Sequence, residues 1–455
     1  IVDHMELLNN RNIMNHSVGS NYNDILEDVK NNQSIFITGK AGSGKTFILN
    51  RLYEDLNGSC EIRKTASTGI AAYGIEGVTI NSFIGYGTLS SKDILNKSKR
   101  YYSTIRKIMN GRYATEIRKC THLIIEEISM IDNVTLEFIE YICRKVRSNE
   151  EFMGGICLIL CGDLLQLRPI SCKDNENDYK TINNMSIFST NVKIHYLTTN
   201  YRQSDRTFID LLNRVRIGKI TADDRKLLKT RVFPDSYCDK IDALELFGNN
   251  RQVDAKNKKE LDKINSKLWT YHAVDSCSDK QVNRSIISRV NNKNMMYKET
   301  LTVKTGCRVM LLKNLNVQEG IVNGSLGVVL KADSSSVMVK FDNGIIKVIE
   351  RDIQTYYDIE YKSTFSRSQI PLNLAYACTI HKSQGLTLDK CILSLDSSNI
   401  YSGDFGKVYV ALSRCRDLSG IYIRKITFKT IVSDQEVVEW YESLRKYIKP
   451  DKSTD

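Results

Sequence analysis

The stretch Gly39-Lys40-Ala41-Gly42-Ser43-Gly44-Lys45-Thr46 constrains this chain more than any other. It follows the apolar run Ile35-Phe36-Ile37, which reads as a buried strand. It precedes Phe47-Ile48-Leu49-Asn50-Arg51-Leu52, whose apolar residues have helical spacing. Strand, glycine-rich turn and helix start form the setting in which G-x-x-x-x-G-K-[ST] becomes a phosphate cradle. Glycines let backbone N–H groups turn towards an anion, and the helix N-terminus adds partial positive charge. Lys45 then reaches the β- and γ-phosphates, and Thr46 offers a hydroxyl to Mg²⁺. The stretch predicts a bound nucleoside triphosphate and leaves its use open.

At 455 residues the chain is too long for one ordinary core and predicts about two to four domains. A hydrophobic fraction of 41% is enough to fill them. The formal net charge of +12 favours polyanionic partners, nucleic acid before membrane surface, although charge alone also suits a solvated basic face. The 12 cysteines form no C-x-x-C pair, and Cys157, Cys161, Cys378 and Cys391 stand in apolar surroundings. Buried free thiols in a reducing, intracellular compartment (nucleus or cytoplasm) are expected, rather than a disulfide framework or a zinc site. No apolar run is long enough to span a membrane, and no membrane partner is expected. Ile1-Val2-Asp3-His4 is neither a signal peptide nor an Arg-rich transit sequence; lacking an initiator Met, the chain reads as an excerpt of a longer protein.

From Ile35 onwards apolar strands alternate with helical stretches. Ile62 lies in a predicted strand, and Leu123-Ile124-Ile125 and Cys157-Leu158-Ile159-Leu160 read as central parallel strands, with helical periodicity over 134–146 between them. This is βαβ organisation, which predicts a doubly wound sheet. The basic stretch 85–119, with Lys97, Lys99, Arg100, Arg106 and Lys107, interrupts it as a partly helical insertion. A second α/β region begins after Tyr201, with a strand over 243–247 and a charged helix over 257–268. From about Leu301 to Tyr361 the texture turns to Val, Gly, Ser and Asn, with Asn323-Gly324 and Asn343-Gly344 as turn signals and short antiparallel strands over 337–339 and 345–348. This predicts a small β-barrel set into the second α/β domain. Strands resume at 372–376, 392–395 and 421–423, and the polar tail from Lys449 is expected to fray.

Several constellations carry chemistry. Glu126-Glu127 follows a predicted strand, where one carboxylate can hold Mg²⁺ and the next can orient and deprotonate water. Gln166, in Gly162-Asp163-Leu164-Leu165-Gln166-Leu167, also follows a strand and can sense a γ-phosphate. Arg202, Arg414 and Arg416 offer guanidinium charge of the kind that phosphoryl transfer needs. Thr65 to Ala72 with Thr79 to Phe83, and Thr379 to Gly385, combine hydroxyls, glycine, a cation and rings suited to nucleic-acid phosphates and unpaired bases. Each motif read alone is also compatible with a solvated loop.

These blocks, in this order, resemble the Pif1-like branch of superfamily 1 helicases over nearly the whole span from Ile35 to Lys425. The resemblance implies an α/β fold of two RecA-like P-loop domains with parallel sheets, a small wedge insertion in the first and an SH3-like β-barrel in the second. The implied boundaries are an N-terminal segment 1–34, domain 1A over 35–84 and 120–195, the wedge 1B over 85–119, domain 2A over 196–300 and 366–455, and 2B over 301–365. It implies ATP and Mg²⁺ as cofactors, with Lys45, Glu127, Gln166, Arg202 and Arg414 catalytic, the last two arriving from the second domain. Nucleotide contacts fall on Gly39, Ala41, Gly42, Ser43, Gly44, Lys45, Thr46, Gln384 and Gly385, and metal contacts on Thr46 and Glu126. DNA contacts fall on Thr68, Gly69, Ser82, Phe83, Asn249, Asn314, Thr379, His381, Lys382 and Ser383. The implied activity is ATP-driven 5′→3′ movement on single-stranded DNA and unwinding of tailed or forked duplexes in replication, repair or recombination.

The sequence departs from the family at four places. Glu126-Glu127 replaces the usual Asp-Glu, Asn81 replaces a His, Leu167-Arg168-Pro169 stands where two prolines are common, and no adenine-reading Gln is evident near Tyr22. The Asn-, Ile- and Lys-rich composition suggests an AT-rich genome. With the missing Met, it points to the helicase half of a viral helicase–primase, with a primase or replication partner and a viral replication site as its setting. An RNA-directed superfamily 1 helicase, a phosphate-loop remodeller that unwinds nothing, and a small-molecule kinase remain as alternatives; the last leaves the second α/β region unexplained.

Overall fold

The apolar runs read from the sequence become strands of one parallel sheet. The computed structural model describes residues 16–18, 22–87, 89–169, 181–184, 190–316, 319–358, 361–401 and 403–445. Most of the expected N-terminal segment up to residue 21, and the tail from Lys449, lie outside them. Within the described residues, β1 (His16–Val18), β2 (Ile35–Gly39), β3 (Ile62–Ala66), β4 (Val78–Thr79), β5 (His122–Glu126), β6 (Cys157–Gly162) and β7 (Lys193–Leu197) align in the order β1-β7-β2-β6-β5-β3-β4. Every neighbouring pair is parallel. β2, β5 and β6 are buried along their whole length, which is why each reads as an apolar run at its centre. Parallel direction also brings the segments that follow these three strands to one edge of the sheet. Those segments are the phosphate loop, Glu126-Glu127 and Asp163 to Gln166.

Flanking helices close the core. Tyr22–Lys30 buries Ile25 and Val29 together with Leu49, Leu52 and Leu56 of helix Lys45–Leu56, against Ile35, Ile37 and Ile159 of the sheet. The helix predicted over 134–146 spans Asn133–Arg147. Asp132 caps it, accepting from the Thr135 N–H at 2.7 Å, and Arg144, Lys145 and Arg147 oppose the dipole in its last turn. The insertion 85–119 holds helices Ser91–Leu95, Lys99–Asn110 and Arg112–Lys119, and its five named basic residues are all exposed.

The chain divides into two compact units, and not where the sequence placed the boundary. The first takes the residues up to Thr221, the segment ending at Ser413 and the stretch from Ile431; the second takes Ala222–Tyr401 and Arg414–Thr430. Residues 196–221 thus fold with the first unit, and the chain later returns to it twice. Long-range pairs explain this. The Tyr201 N–H donates to the Gly42 carbonyl at 2.8 Å, Arg216 pairs with Asp163, and Trp440 stacks on Phe36 with centroids 6.4 Å apart.

In the second unit, Ala377–Thr379, Leu244–Phe247, Cys391–Leu395 and Ile421–Ile426 form a four-stranded parallel sheet in that order. A five-stranded antiparallel sheet runs Ile346–Glu350, Ser336–Phe341, Leu326–Ala332, Arg308–Leu311, Leu372–Leu374, giving the SH3-like element. Period-two alternation sends Val337, Val339 and Phe341 into a core with Val309, Leu311 and Val329. Two expectations change. The strand read at 372–376 belongs to this antiparallel sheet, and the parallel sheet resumes only at Ala377; a strand of three residues carries no signal of its partner. The charged helix spans Asn250–Asp262 rather than 257–268, because Asn249 caps it early through the Gln252 N–H at 3.0 Å. Leu268–His272 is instead a strand paired with Thr300–Lys304.

Candidate functional site

The phosphate loop leaves β2 and enters helix Lys45–Leu56 through Gly44, whose φ of 81° is left-handed and favours glycine. Gly42, at φ +80°, is also closely approached: a Cβ there would lie 2.7 Å from Cβ of Arg202 and 2.9 Å from Oδ1 of Asn200. The Lys45 ammonium donates to the carbonyls of Gly39 and Lys40, each at 2.9 Å, folding the side chain back over its own loop. Burial lowers its pKa, opposed first by the charge of Asp163 and then by Glu127 among the carboxylates. An anionic phosphate would further favour the charged form of Lys45.

At the end of β5 the Thr46 hydroxyl donates to Oε1 of Glu126 at 2.6 Å. Glu126 is 6% exposed. Burial, and then the neighbouring charge of Glu127, push its carboxyl up to about 7, while Thr46 and Lys45 pull the other way. A buried carboxylate beside a hydroxyl and a second acid suits a hard divalent cation, so Thr46 and Glu126 fit Mg²⁺ as a donor pair. Glu127 holds a left-handed φ of 53°, and its carbonyl accepts from the Ser67 hydroxyl at 2.7 Å. A non-glycine residue in that region is strained, and such strain concentrates at functional sites.

Gln166 is 4% exposed, and its N–H donates to the Asp163 carbonyl at 3.0 Å. Arg202 lies beside the phosphate loop in the first unit, which corrects its expected origin in the second domain. Asn200 Oδ1 accepts from the N–H groups of Arg202 and Gln203, and the Arg202 guanidinium donates to the Ser413 carbonyl at 3.1 Å. The first unit therefore brings Lys45, Thr46, Glu126, Glu127, Gln166 and Arg202 together. Arg414 lies in the second unit, 2% exposed, donating to the carbonyls of Ser383 and Leu386 at 3.4 Å each. Gln384 and Gly385 are part of that same segment.

The DNA-contact residues divide. Thr68, next to an open Gly69, caps helix Gly69–Gly74 through the Ala71 N–H, and Ser82 contacts Thr79; Thr68 and Ser82 are both partly exposed. Phe83 is 2% exposed, so it serves the core and offers no face to a base. Asn81, in place of the family's His, is locked between the Gly87 carbonyl and the Tyr86 hydroxyl. In the second unit Lys382 is exposed and His381 partly so, whereas Ser383 is fully buried with its hydroxyl on the Ile380 carbonyl, and Thr379 caps the turn through the Lys382 N–H. Both Asn249 and Asn314 are exposed; Asn314 accepts from the Asn323 N–H at 2.9 Å, and Gly324 of that turn would meet Leu386 at 2.5 Å if it carried a Cβ.

Sequence reasoning missed several contributors. Tyr201 is 76% exposed, with its ring 3.4 Å from where a Gly44 Cβ would sit, so a flat apolar face stands at the mouth of the loop. Tyr22, at the place of the absent adenine-reading Gln, instead donates to Asp55 beneath the Arg51 guanidinium. The Ala41 N–H donates to the Tyr409 hydroxyl at 2.8 Å. Asp163 and Arg216, both buried, form a two-pronged ion pair at 3.0 and 2.6 Å. Burial works against the Asp163 charge, but Arg216 outweighs it and holds the carboxyl below its usual range. One signal was available: Arg216 continues the stripe Phe208, Leu212, a buried helix face on which a charge requires a partner.

Comparison with known proteins adds the following. The model of the PIF1-like helicase family matches residues 13–226, and that of the DNA helicase Pif1 2B domain matches residues 287–331. The ATP-dependent DNA helicase PIF1 of Danio rerio is 33% identical over 93% of this chain; the chain spans 63% of that relative's length. The ATP-dependent DNA helicase Pif1 of Bdellovibrio bacteriovorus is 31% identical over 92% of this chain and 90% of its own length. The crystal structure of the Bacteroides Pif1 helicase in complex with ADP-AlF3 and ssDNA is 30% identical, covers 93% of this chain and 96% of that one, and has a TM-score of 0.62.

Proposed function

Because this chain belongs to the Pif1-like helicase family, we propose that it is an ATP-dependent DNA helicase that moves 5′→3′ on single-stranded DNA and unwinds tailed or forked duplexes. The observation that carries this reading is the cluster at one edge of the parallel sheet: the Thr46–Glu126 pair, the strained Glu127, buried Gln166 and Arg202 around one phosphate loop. The Bacteroides relative captured with ADP-AlF3 and ssDNA supports nucleotide and DNA as joint ligands.

In this reading Lys45 exchanges its two loop carbonyls for phosphate oxygens. Thr46 and Glu126 would hold Mg²⁺, which supplies charge neutralisation on the phosphates when bound. Glu127 orients the attacking water and takes its proton, Gln166 reports the γ-phosphate, and Arg202 stabilises the charge that spreads over the transferring group; Arg414, in the second unit, is the other guanidinium the family motifs point to for that charge. Tyr201 offers its exposed ring to the base, the function for which no Gln is evident near Tyr22. The partly exposed Thr68, Ser82 and His381, with exposed Gly69, Lys382, Asn249 and Asn314, contact DNA. Buried free thiols such as Cys143, Cys157 and Cys161 suit a reducing, intracellular setting.

The test is unwinding of matched duplexes carrying a 5′ or a 3′ single-stranded tail, with and without ATP. ATP-dependent strand separation confined to the 5′-tailed substrate is expected. ATP hydrolysis without separation of either substrate would overturn the helicase reading in favour of a remodeller.

A further inference from the structure

The loop from Asp163 to Pro169 carries Gln166, and of the three residues after Gln166 only Pro169 has a ring that restrains φ. Side chains from the two C-terminal segments that return to the first unit hold it. Arg168 forms an ion pair with Asp434, and its guanidinium lies 4.1 Å from the centroid of the Phe405 ring. Asp434 also caps helix Gln435–Arg445, accepting from the Glu436 N–H at 3.1 Å, so the tie is anchored to a formed element. From that helix the Tyr441 hydroxyl accepts from the Leu164 N–H at 3.2 Å and meets the Thr38 hydroxyl at 2.6 Å, directly before the phosphate loop. Its ring lies 4.7 Å from the Arg216 guanidinium that clasps Asp163. Gly406 closes the other side: a Cβ there would stand 2.3 Å from the Gln166 carbonyl oxygen.

We propose that the segments 403–413 and 431–445 form a strap that sets the position of Gln166, with Arg168 and Tyr441 as positioning residues for ATP hydrolysis. The proposal rests on the ATPase reading above. Neither residue is assigned a contact with nucleotide; each holds backbone on one side of Gln166. A neutral amide that aligns a γ-phosphate must be placed to within a fraction of an ångström, and a displacement of about 1 Å can cost roughly 10²-fold in rate. Loosening the strap therefore lowers turnover more than nucleotide affinity.

The test compares the full chain with Arg168→Ala, Arg168→Lys and Tyr441→Phe. It reads DNA-stimulated ATPase kcat and KM, binding of a fluorescent ATP analogue, and the thermal midpoint. Expected is a fall in kcat of about tenfold for Arg168→Ala and Tyr441→Phe, with KM and analogue binding within about twofold. Arg168→Lys, which keeps the charge facing Asp434, restores most of the rate. Unchanged kcat in both variants overturns the strap. So does a fall in kcat that only follows the thermal midpoint and is not recovered by Lys. A wild-type chain without ATPase activity overturns the ATPase reading and the strap with it, whereas an active wild type beside equally active variants overturns the strap alone.

Discussion

Lys45 shows what a single residue owes to its sequence and what it owes to its surroundings. The motif fixes its place at the helix start, while the fold decides that its ammonium rests on two loop carbonyls, with the charge of Asp163 acting on it. Lys45→Ala is expected to reduce ATPase and unwinding to background and to leave single-stranded DNA binding within about twofold, since removal of one charge-assisted contact acts on the nucleotide alone; activity and fluorescence anisotropy measure the two. Glu126→Asp is expected to keep most ATPase activity, because a carboxylate remains at the end of β5, although one methylene further from Thr46. A collapse to background in the same assay would mean that the longer arm is required. Asp163→Asn is a different kind of change. It leaves Arg216 buried without its counter-charge, and breaking a buried pair from one side costs about 3–5 kcal/mol. A denaturant titration of the purified chain should show that loss.

At the scale of elements, the antiparallel sheet of the second unit illustrates how a turn is secured from outside. Strands Leu326–Ala332 and Ser336–Phe341 are joined by a turn whose Asp333 carboxylate accepts from the N–H groups of Ser335 and Ser336. The buried Tyr271, from a different sheet, donates its hydroxyl to the carbonyls of Asp333 at 2.6 Å and Ser336 at 3.1 Å. Burial, and then the Asp333 charge, push that phenol up to about 12 from 10.0. A raised pKa means stability that is fully present below about 10 and is lost as pH rises towards 12, because the phenolate can no longer donate. Tyr271→Phe is expected to cost about 1 kcal/mol at neutral pH and to flatten the stability slope between those two pH values, as read by denaturant titrations across that range.

For the whole molecule, the decisive fact is that the chain comes back. Val437, Val438 and Tyr441 are buried in the first unit, and Trp440 stacks on Phe36 of β2. A chain ending at Thr430 is therefore expected to lose cooperative unfolding of the first unit, with limited proteolysis cutting between residues 35 and 221 at protease levels that spare the full chain. Charge acts at the same scale. With a net charge of +12, binding to single-stranded DNA is expected to weaken by about 300-fold between 50 and 200 mM salt if roughly six phosphates are neutralised. Anisotropy titrations at stepped salt measure the slope.

Local chemistry determined much of this protein. The phosphate loop, the acids that follow β5, the buried strands and the basic insertion are each written within a dozen residues, because strand burial, glycine turns and helix starts depend on neighbours in sequence. The family motifs singled out Gln166 and both arginines as candidates. Only the tertiary structure decided which compact unit owns Arg202, that Phe83 and Ser383 are buried, that Leu372–Leu374 pairs antiparallel, and that Asp163, Arg216 and Tyr441 meet. These outcomes depend on packing between segments that the sequence holds far apart. A hydroxyl, an aromatic ring or a guanidinium looks the same in one dimension whether it faces solvent or a buried partner, and only the contact supplies the free-energy difference that chooses between them.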